Sequence, residues 1–432
     1  MNEVAKRALE CGIVGAGGAG FPTHVKLSAE ADTFIINAAE CEPLLYKDQT
    51  ILESFLPEFI EGASLCSKAV GARRIIIGIK NKHEKLIALL ERELPDWMEL
   101  FPIEDTYPAG DEHVLVYETT GRVIPAGGLP LDVSVVVNNV ETVLNVGLGE
   151  PVTRKFLTVS GLLPEAVTLR TPIGVPIRAV LEAVGAPTEG AGYILNGPMM
   201  GSVIEDLSQP VLKTTSGVIV LPADHPLIRK KSREAQQVTR ISRACDQCTR
   251  CSDLCPRDLL GHGVKPHKAM TSVSLAADLA SSWQESALYC CECGLCGLYS
   301  CPEDLDPHLV MIRSKRALTA AEKKPERKRV AASPHFPYRK TPTPLLMRRL
   351  DLERFVRPNV YSEVRVQSAI FTLPLKQHVG AASSPVVKAR QRLEAGTLLA
   401  DIPEGKLGAK IFSPEVATIS SIEEDAIILE VS

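Results

Sequence analysis

What the 432-residue chain lacks narrows it first. No apolar run approaches the roughly 18 residues of a membrane-spanning helix, so no membrane span is expected. The opening residues, MNEVAKRALECG, have no apolar core of the secretory kind. Net charge is −4 at pH 7, so nothing favours a nucleic-acid partner. No Ser/His/Asp triad or other hydrolytic constellation stands out. Cysteine is scarce outside one stretch: nine of the twelve fall within 245–301, leaving Cys11, Cys41 and Cys66 scattered. That distribution suits a reducing cytoplasm. With 45% hydrophobic and 23% charged residues, the chain reads as an ordinary globular protein, long enough for two to four domains.

The cysteine-dense stretch carries the strongest signal. Cys245, Cys248, Cys251 and Cys255 stand at C-x2-C-x2-C-x3-C-P, the bacterial-ferredoxin spacing for a [4Fe–4S] cluster. Two-residue gaps let three thiolates turn back onto one cubane, and Pro256 keeps the loop from running on as helix. Cys290, Cys293, Cys296 and Cys301 repeat the run, with four residues before the last cysteine. In two-cluster ferredoxins the fourth cysteine of each run ligates the other cluster. One set would then be Cys245, Cys248, Cys251 and Cys301, the other Cys290, Cys293, Cys296 and Cys255. Cys291 reads as an extra, outside both. Zinc, which uses four ligands from two distant pairs, and disulfides are the alternatives.

Ahead of this stretch the pattern is α/β. Residues 2–11 read as a short helix closed by Gly12. GIVGAGGAGFPTHVK follows, with Gly15, Gly17 and Gly20 at G-x-G-x-x-G. The ordinary dinucleotide fingerprint needs a buried strand just before the first glycine, and only Ile13 and Val14 are available. A glycine-dense loop that lets backbone N–H groups approach a phosphate is the simpler reading; a structural turn is the alternative, and Lys26 could add charge. Strands are expected at 33–36, 73–80 and 133–137, helices at 48–70 and 82–94, giving a parallel sheet. Ligands bind at the C-terminal ends of such strands, so Asn37, Glu40, Glu42, Asn138, Asn139, Glu141 and Thr142 are candidates. Asn138–Asn139 could equally be a helix N-cap.

Four motifs in order, GAGGAGFPTHVK, INAAECEP, YPAGDEHV and NNVET, together resemble the FMN- and NADH-binding flavoprotein subunit of respiratory complex I. They resemble still more the C subunit of the Rnf complex. With a tandem ferredoxin segment following, the nearest likeness is to the cobalamin reductases of propanediol-utilisation microcompartments, over essentially the whole chain. The resemblance implies FMN phosphate and ribityl contacts from Gly15, Gly17, Gly18, Ala19 and Lys26. It implies flavin contacts from Asn37, Asn138 and Asn139. Glu40 would help form the nicotinamide pocket, Gly110, Asp111 and Glu112 would lie beside NADH, and Phe21 would stack on the dinucleotide. The sequence departs from the complex I pattern at Ala16 (Arg there), at Ala39 (Asp there) and after Lys26, where a second aromatic is missing.

The same resemblance divides the chain into a multidomain α/β protein. Residues 1–150 would be a Rossmann-like FMN/NADH domain and 151–228 an SLBB β-grasp domain, acting as a spacer or binding a ligand. Residues 229–319 would be a helical ferredoxin domain with two [4Fe–4S] clusters. A basic, proline-rich linker, 320–365, would be solvated or dock an acidic partner. Residues 366–432 would be a barrel-sandwich hybrid with no convincing lysine for lipoyl or biotin. The implied activity is an NADH-dependent reductase passing single electrons through FMN and two clusters to cobalamin. A corrinoid adenosyltransferase, a shell protein and a second copy of the chain are implied partners, inside a cytoplasmic microcompartment. The alternatives are a donor to a flavodoxin, ferredoxin or radical-enzyme activase, and a relay component of an Rnf-like complex.

Overall fold

A computed structural model describes residues 1–232, 244–274 and 281–431. Its first sheet has four parallel strands in the order β3-β2-β1-β5. They are β1 (Thr33–Ala38), β2 (Arg74–Lys80), β3 (Glu99–Ile103) and β5 (Val135–Asn139); the two-residue β4 (Thr106–Tyr107) lies apart. Runs such as FIINA and RIIIGIK suit strands covered on both faces. Phe34, Ile36 and Ile77 pack toward the helices Leu56–Val70 and Val140–Leu148. Ile35, Ile76 and Val137 face the helix Glu112–Thr120. Each such fully buried side chain contributes about 1.5–3 kcal/mol. The helices Leu56–Val70 and Val140–Leu148 cross at Gly62 and Gly147, where a Cβ on Gly62 would run into the carbonyl of Val143.

The second sheet has six strands, β12-β7-β6-β10-β8-β9. They are β6 (Arg154–Gly161), β7 (Ala166–Pro172), β8 (Ala191–Leu195), β9 (Ser202–Ile204), β10 (Gly217–Pro222) and β12 (Asn359–Ser362), with the helix Ile177–Ala183 between β7 and β8. β10 runs parallel to β6 and antiparallel to β8. The cysteine region is built of short helices, Arg250–Asp253, Pro256–Leu259, Pro266–Ser274 and Pro307–Ala320, around Val264, Met270, Ala287 and Met311. The helical expectation for 231–318 also covers 233–243 and 275–280, which lie outside the described residues.

The expected linker, 320–365, is in large part a strap. Residues 321–329 are exposed, as basic composition demands, although Lys328 pairs with Ala126 through its backbone. Beyond them β11 (Thr341–Pro342) pairs with β4, and the helix Thr343–Arg349 buries Leu346. β12 then adds an edge to the second sheet beside β7. Proline stops regular helix but tolerates edge strands, and open edges were available at β4 and at β7. The strap's charges are spent locally: Arg327 pairs with Asp132 and Lys340 with Glu118.

The C-terminal unit closes two small sheets on each other, β13-β19-β18-β15 and β14-β16-β17. These are β13 (Ile370–Pro374), β14 (Ser384–Pro385), β15 (Arg392–Leu393), β16 (Leu398–Asp401), β17 (Ile411–Phe412), β18 (Ala417–Ile422) and β19 (Ala426–Val431). It docks against the start of the chain: Val379 N–H donates to Gly20 O at 3.0 Å, and Lys410 pairs with Glu10 at 2.6 Å.

Candidate functional site

The glycine loop is a closed turn. Val14 bridges Pro22, Gly15 N–H donates to Phe21 O at 2.8 Å, and Gly20 N–H donates to Gly15 O at 3.2 Å. Gly17, Gly18 and Ala19 are exposed at its tip. Gly18 has φ +110° and open space where a Cβ would stand; Gly20 has φ +66° and lies against Thr214 and His378. Only glycine takes both conformations without strain. Ala16 N–H donates to Thr142 Oγ1 at 2.9 Å, and Gly17 lies over Asn139, so the loop rests on the C-terminal end of β5.

That end is where β1 and β5 run side by side, with Ile36 opposite Asn138 and Asn37 opposite Asn139. Register thus draws the three asparagines to one crevice, the position where open α/β sheets bind ligands. Asn37 Nδ2 donates to Gly110 O at 2.9 Å. Asn139 caps the helix Val140–Leu148, accepting from Glu141 N–H at 3.0 Å, and its Nδ2 donates to Asp48 at 2.8 Å. Asn139 therefore meets the N-cap alternative as well. Asn138 Nδ2 is buried without a partner among the described residues, and so is Glu40 Oε1. Buried polar groups are almost always paired, so these two atoms suit a polar ligand in the crevice.

A buried ionic cluster underlies the loop. Lys47 pairs with Asp48 at 2.6 Å and reaches Glu141 at 3.5 Å, and Lys155 pairs with Glu141. Lys155 begins near the start of β6, so the cluster joins the two sheets. Burial pulls Lys155 down to about 8 although Glu141 pulls it back up. Burial and the charge of Asp48 raise Glu40 to about 8; Asp48 N–H donates to its Oε2 at 3.0 Å. Burial raises Glu42 to about 7 even though it accepts from the N–H groups of Met199 and Met200, at 2.7 and 2.8 Å.

The remaining predicted residues lie around the crevice. Lys26 Nζ donates to Glu112 Oε1 and to Val137 O, both at 2.8 Å. Gly110 N–H donates to Cys41 Sγ at 2.6 Å. Asp111 caps the helix Glu112–Thr120 and pairs with Arg257 at 2.7 Å. Burial opposes its charge, but the Arg257 guanidinium holds Asp111 below the usual carboxylate range. Phe21 is half-buried beside the loop.

The thiols gather in mixed sets. Burial pushes Cys251 up to about 12, and the neighbouring Cys245, Cys248 and Cys301 push the same way. Those four also line one small pocket, with His267, Met270, Leu305 and Pro307. Burial raises Cys255, and Cys290 and Cys291 raise it further; Cys296 is raised by burial, then by Cys290, Cys255 and Cys251. Cys301 thus lies near the thiols of the first run, and Cys255 lies near Cys290 of the second. Among the described residues no group of three or more His, Cys, Asp or Glu is gathered tightly enough for a single metal ion. Thiol-only donor sets are those that iron–sulfur clusters use.

Sequence reasoning missed Lys47, Asp48, Lys155, Tyr107 and Arg257. Lys47 and Asp48 stand in a helix otherwise rich in buried residues, but a buried charge shows in a sequence only once its distant partner is known. Tyr107 and Arg257 touch residues 186 and 146 positions away, respectively.

Comparison with known proteins adds the following. Residues 8–148 match the Nuo51 FMN-binding domain, 244–306 a 4Fe-4S dicluster domain and 362–430 the RnfC barrel sandwich hybrid domain. The cobalamin reductase PduS of Salmonella typhimurium is 39% identical over 99% of this chain and 96% of its own length. PduS of Citrobacter freundii is 39% identical over 98% of the chain and 95% of its own length. The Na(+)-translocating ferredoxin:NAD(+) oxidoreductase complex of Acetobacterium woodii has a C subunit that is 34% identical over 59% of the chain and 58% of its own length. Among solved structures, an NAD+-reducing [NiFe]-hydrogenase in the H2-reduced state aligns at 20% identity and a TM-score of 0.49, covering 75% of this chain and 63% of that one.

Proposed function

The chain belongs to the family of the cobalamin reductase PduS, and on that premise we propose that it is an NADH-linked reductase acting on cobalamin. When bound, FMN supplies conversion of a two-electron donor into one-electron steps, and the iron–sulfur clusters supply one-electron carriage to the acceptor. The observation that carries the reading is the joining of two sites in one body. A glycine loop lies over Asn139, which β1–β5 register sets beside Asn37, and two groups of thiols stand beside the same domain.

In this reading Gly15, Gly17, Gly18, Ala19 and Lys26 hold the FMN phosphate and ribityl. Support comes from the open tip at Gly18 and from the partly exposed Lys26 side chain, whose ammonium would exchange its contact with Glu112 for the phosphate. Asn37, Asn138 and Asn139 hold the flavin, supported by the unpartnered Asn138 Nδ2. NADH lies by Phe21, Glu40, Gly110, Asp111 and Glu112. Of these, Asp111 serves by orienting its helix, because its oxygens are committed to backbone N–H groups and Arg257. The two sets Cys245, Cys248, Cys251, Cys301 and Cys290, Cys293, Cys296, Cys255 each hold a [4Fe–4S] cluster. Residues 151–228 act as an SLBB β-grasp spacer that sets domain geometry, and 229–319 as a ferredoxin-type unit. Among the described residues no helix is long and apolar enough to cross a membrane. Co(I) is very oxidisable, which favours transfer to an adenosyltransferase partner within a microcompartment.

The test is anaerobic reduction of the loaded protein by NADH, followed spectrally, with cobalamin, flavodoxin and ferredoxin added separately. Cobalamin reduction is expected. Rapid turnover with flavodoxin or ferredoxin but none with cobalamin, even with the adenosyltransferase present, would replace cobalamin by a protein acceptor.

A further inference from the structure

We infer that the two thiolate sets have fixed and unequal places in the electron path. The set of Cys255, Cys290, Cys293 and Cys296 receives electrons from the flavin side, and the set of Cys245, Cys248, Cys251 and Cys301 delivers them to the external acceptor. This rests on the reductase reading above and adds a direction to it.

The receiving set is tied into the first domain by several contacts. Tyr107, buried in β4, donates its hydroxyl to the carbonyl of Cys293 at 2.6 Å. Arg257, two residues after Cys255, pairs with Asp111 at 2.7 Å, and both side chains are nearly buried. Cys293 and Leu295 share one apolar cluster with Leu44, Leu45, Tyr107 and Met199, with Cys41 packed against it. Cys41 in turn accepts from Gly110 N–H, whose carbonyl accepts from Asn37 in the crevice. A short line of packed residues therefore runs from the crevice to Cys293. Cys255, Cys293 and Cys296 are all buried.

The delivering set is different. Cys248 is exposed and Cys245 half-buried. Its pocket is lined by residues 245–307 alone. A contact beyond that stretch runs to the strap, where Arg349 donates to Cys301 O at 3.2 Å. Each NADH oxidised to NAD+ releases one proton and two electrons. The delivering set is accordingly reduced and reoxidised twice per NADH, and each pass reduces one acceptor by one electron. Tyr107 and Arg257 are positioning residues that hold the receiving loops against the flavin domain.

The test uses anaerobic holoprotein and electron paramagnetic resonance, with NADH or dithionite as reductant. Wild type is examined first: if NADH reduces neither flavin nor cluster, the reductase reading itself has failed. In Cys248→Ala the remaining cluster should give its signal with NADH alone. In Cys296→Ala NADH should bleach only the flavin, and the remaining cluster should need dithionite. The opposite pattern in either variant overturns the order. If an alanine variant loses both clusters, Tyr107→Phe decides with all ligands in place. NADH-driven cluster signals should then appear more slowly, with dithionite-driven signals and iron content unchanged. An unchanged NADH-driven rate overturns the proposal.

Discussion

Glu141→Gln tests whether the buried charges under the glycine loop hold the two sheets together. The side chains of Glu141 and Lys155 are each 1% exposed. Glutamine keeps an oxygen where Glu141 Oε1 accepts from Phe156 N–H, so charge is the main loss. Lys47 keeps Asp48 at 2.6 Å, whereas Lys155 is left with only the carbonyl of Ala16 at 3.4 Å. Breaking such a buried pair costs about 3–5 kcal/mol. The cost has a ceiling, because an unpaired buried lysine can shed its proton. Lys155 already stands at about 8 with Glu141 present, and without it the value must fall further. The sign follows from proton counts. Where Lys155 is neutral in the fold but charged in the unfolded chain, the unfolded state binds more protons and stability rises with pH. Wild type enters that regime only above about 8, the variant earlier. The variant's deficit should therefore be largest near pH 6 and shrink by about 1.4 kcal/mol per pH unit as 8 is approached. Above 8 it should stay level. Urea unfolding of the apoprotein across this range measures it. A deficit under about 1 kcal/mol at pH 7, or one that ignores pH, would refute the argument.

Cys255→Ala should damage the centre shared with Cys290, Cys293 and Cys296, while Cys291→Ser should leave about eight irons per chain; iron analysis and paramagnetic resonance check both. Lys26→Ala should weaken FMN about tenfold or more through loss of a charged contact, with iron content held; flavin released by acid precipitation reports occupancy. Gly18→Ala should cost only backbone strain, about 1–2 kcal/mol. Gly20→Ala adds contact with Thr214 Cγ2 at 2.9 Å and His378 Cα at 3.2 Å. It should melt lower and free the C-terminal unit to protease sooner, and equal behaviour of the two variants would count against that docking.

The chemistry most legible in the sequence was local. Cluster ligation needs cysteines a few residues apart, and phosphate approach needs glycines in one loop, so spacing carried both. Strands at 33–38, 74–80 and 135–139 showed as runs of isoleucine and valine because they are covered on both faces. Asn37, Asn138 and Asn139 could be named as candidates from strand ends alone. That they meet is a matter of register between β1 and β5, which sets Asn37 opposite Asn139 across a long stretch of chain. The crossed thiol sets are what the rule for two-cluster ferredoxins implies; packing leaves Cys248 exposed and Cys293 and Cys296 buried. Composition misled at 320–365, since proline and lysine content says nothing about which strand edges lie open nearby. By itself the sequence determined which groups this protein can hold, because donor atoms and backbone freedom belong to single residues. Only the tertiary structure decided which charges are buried and which cysteines pack against the first domain, because those depend on contacts between residues far apart in the chain.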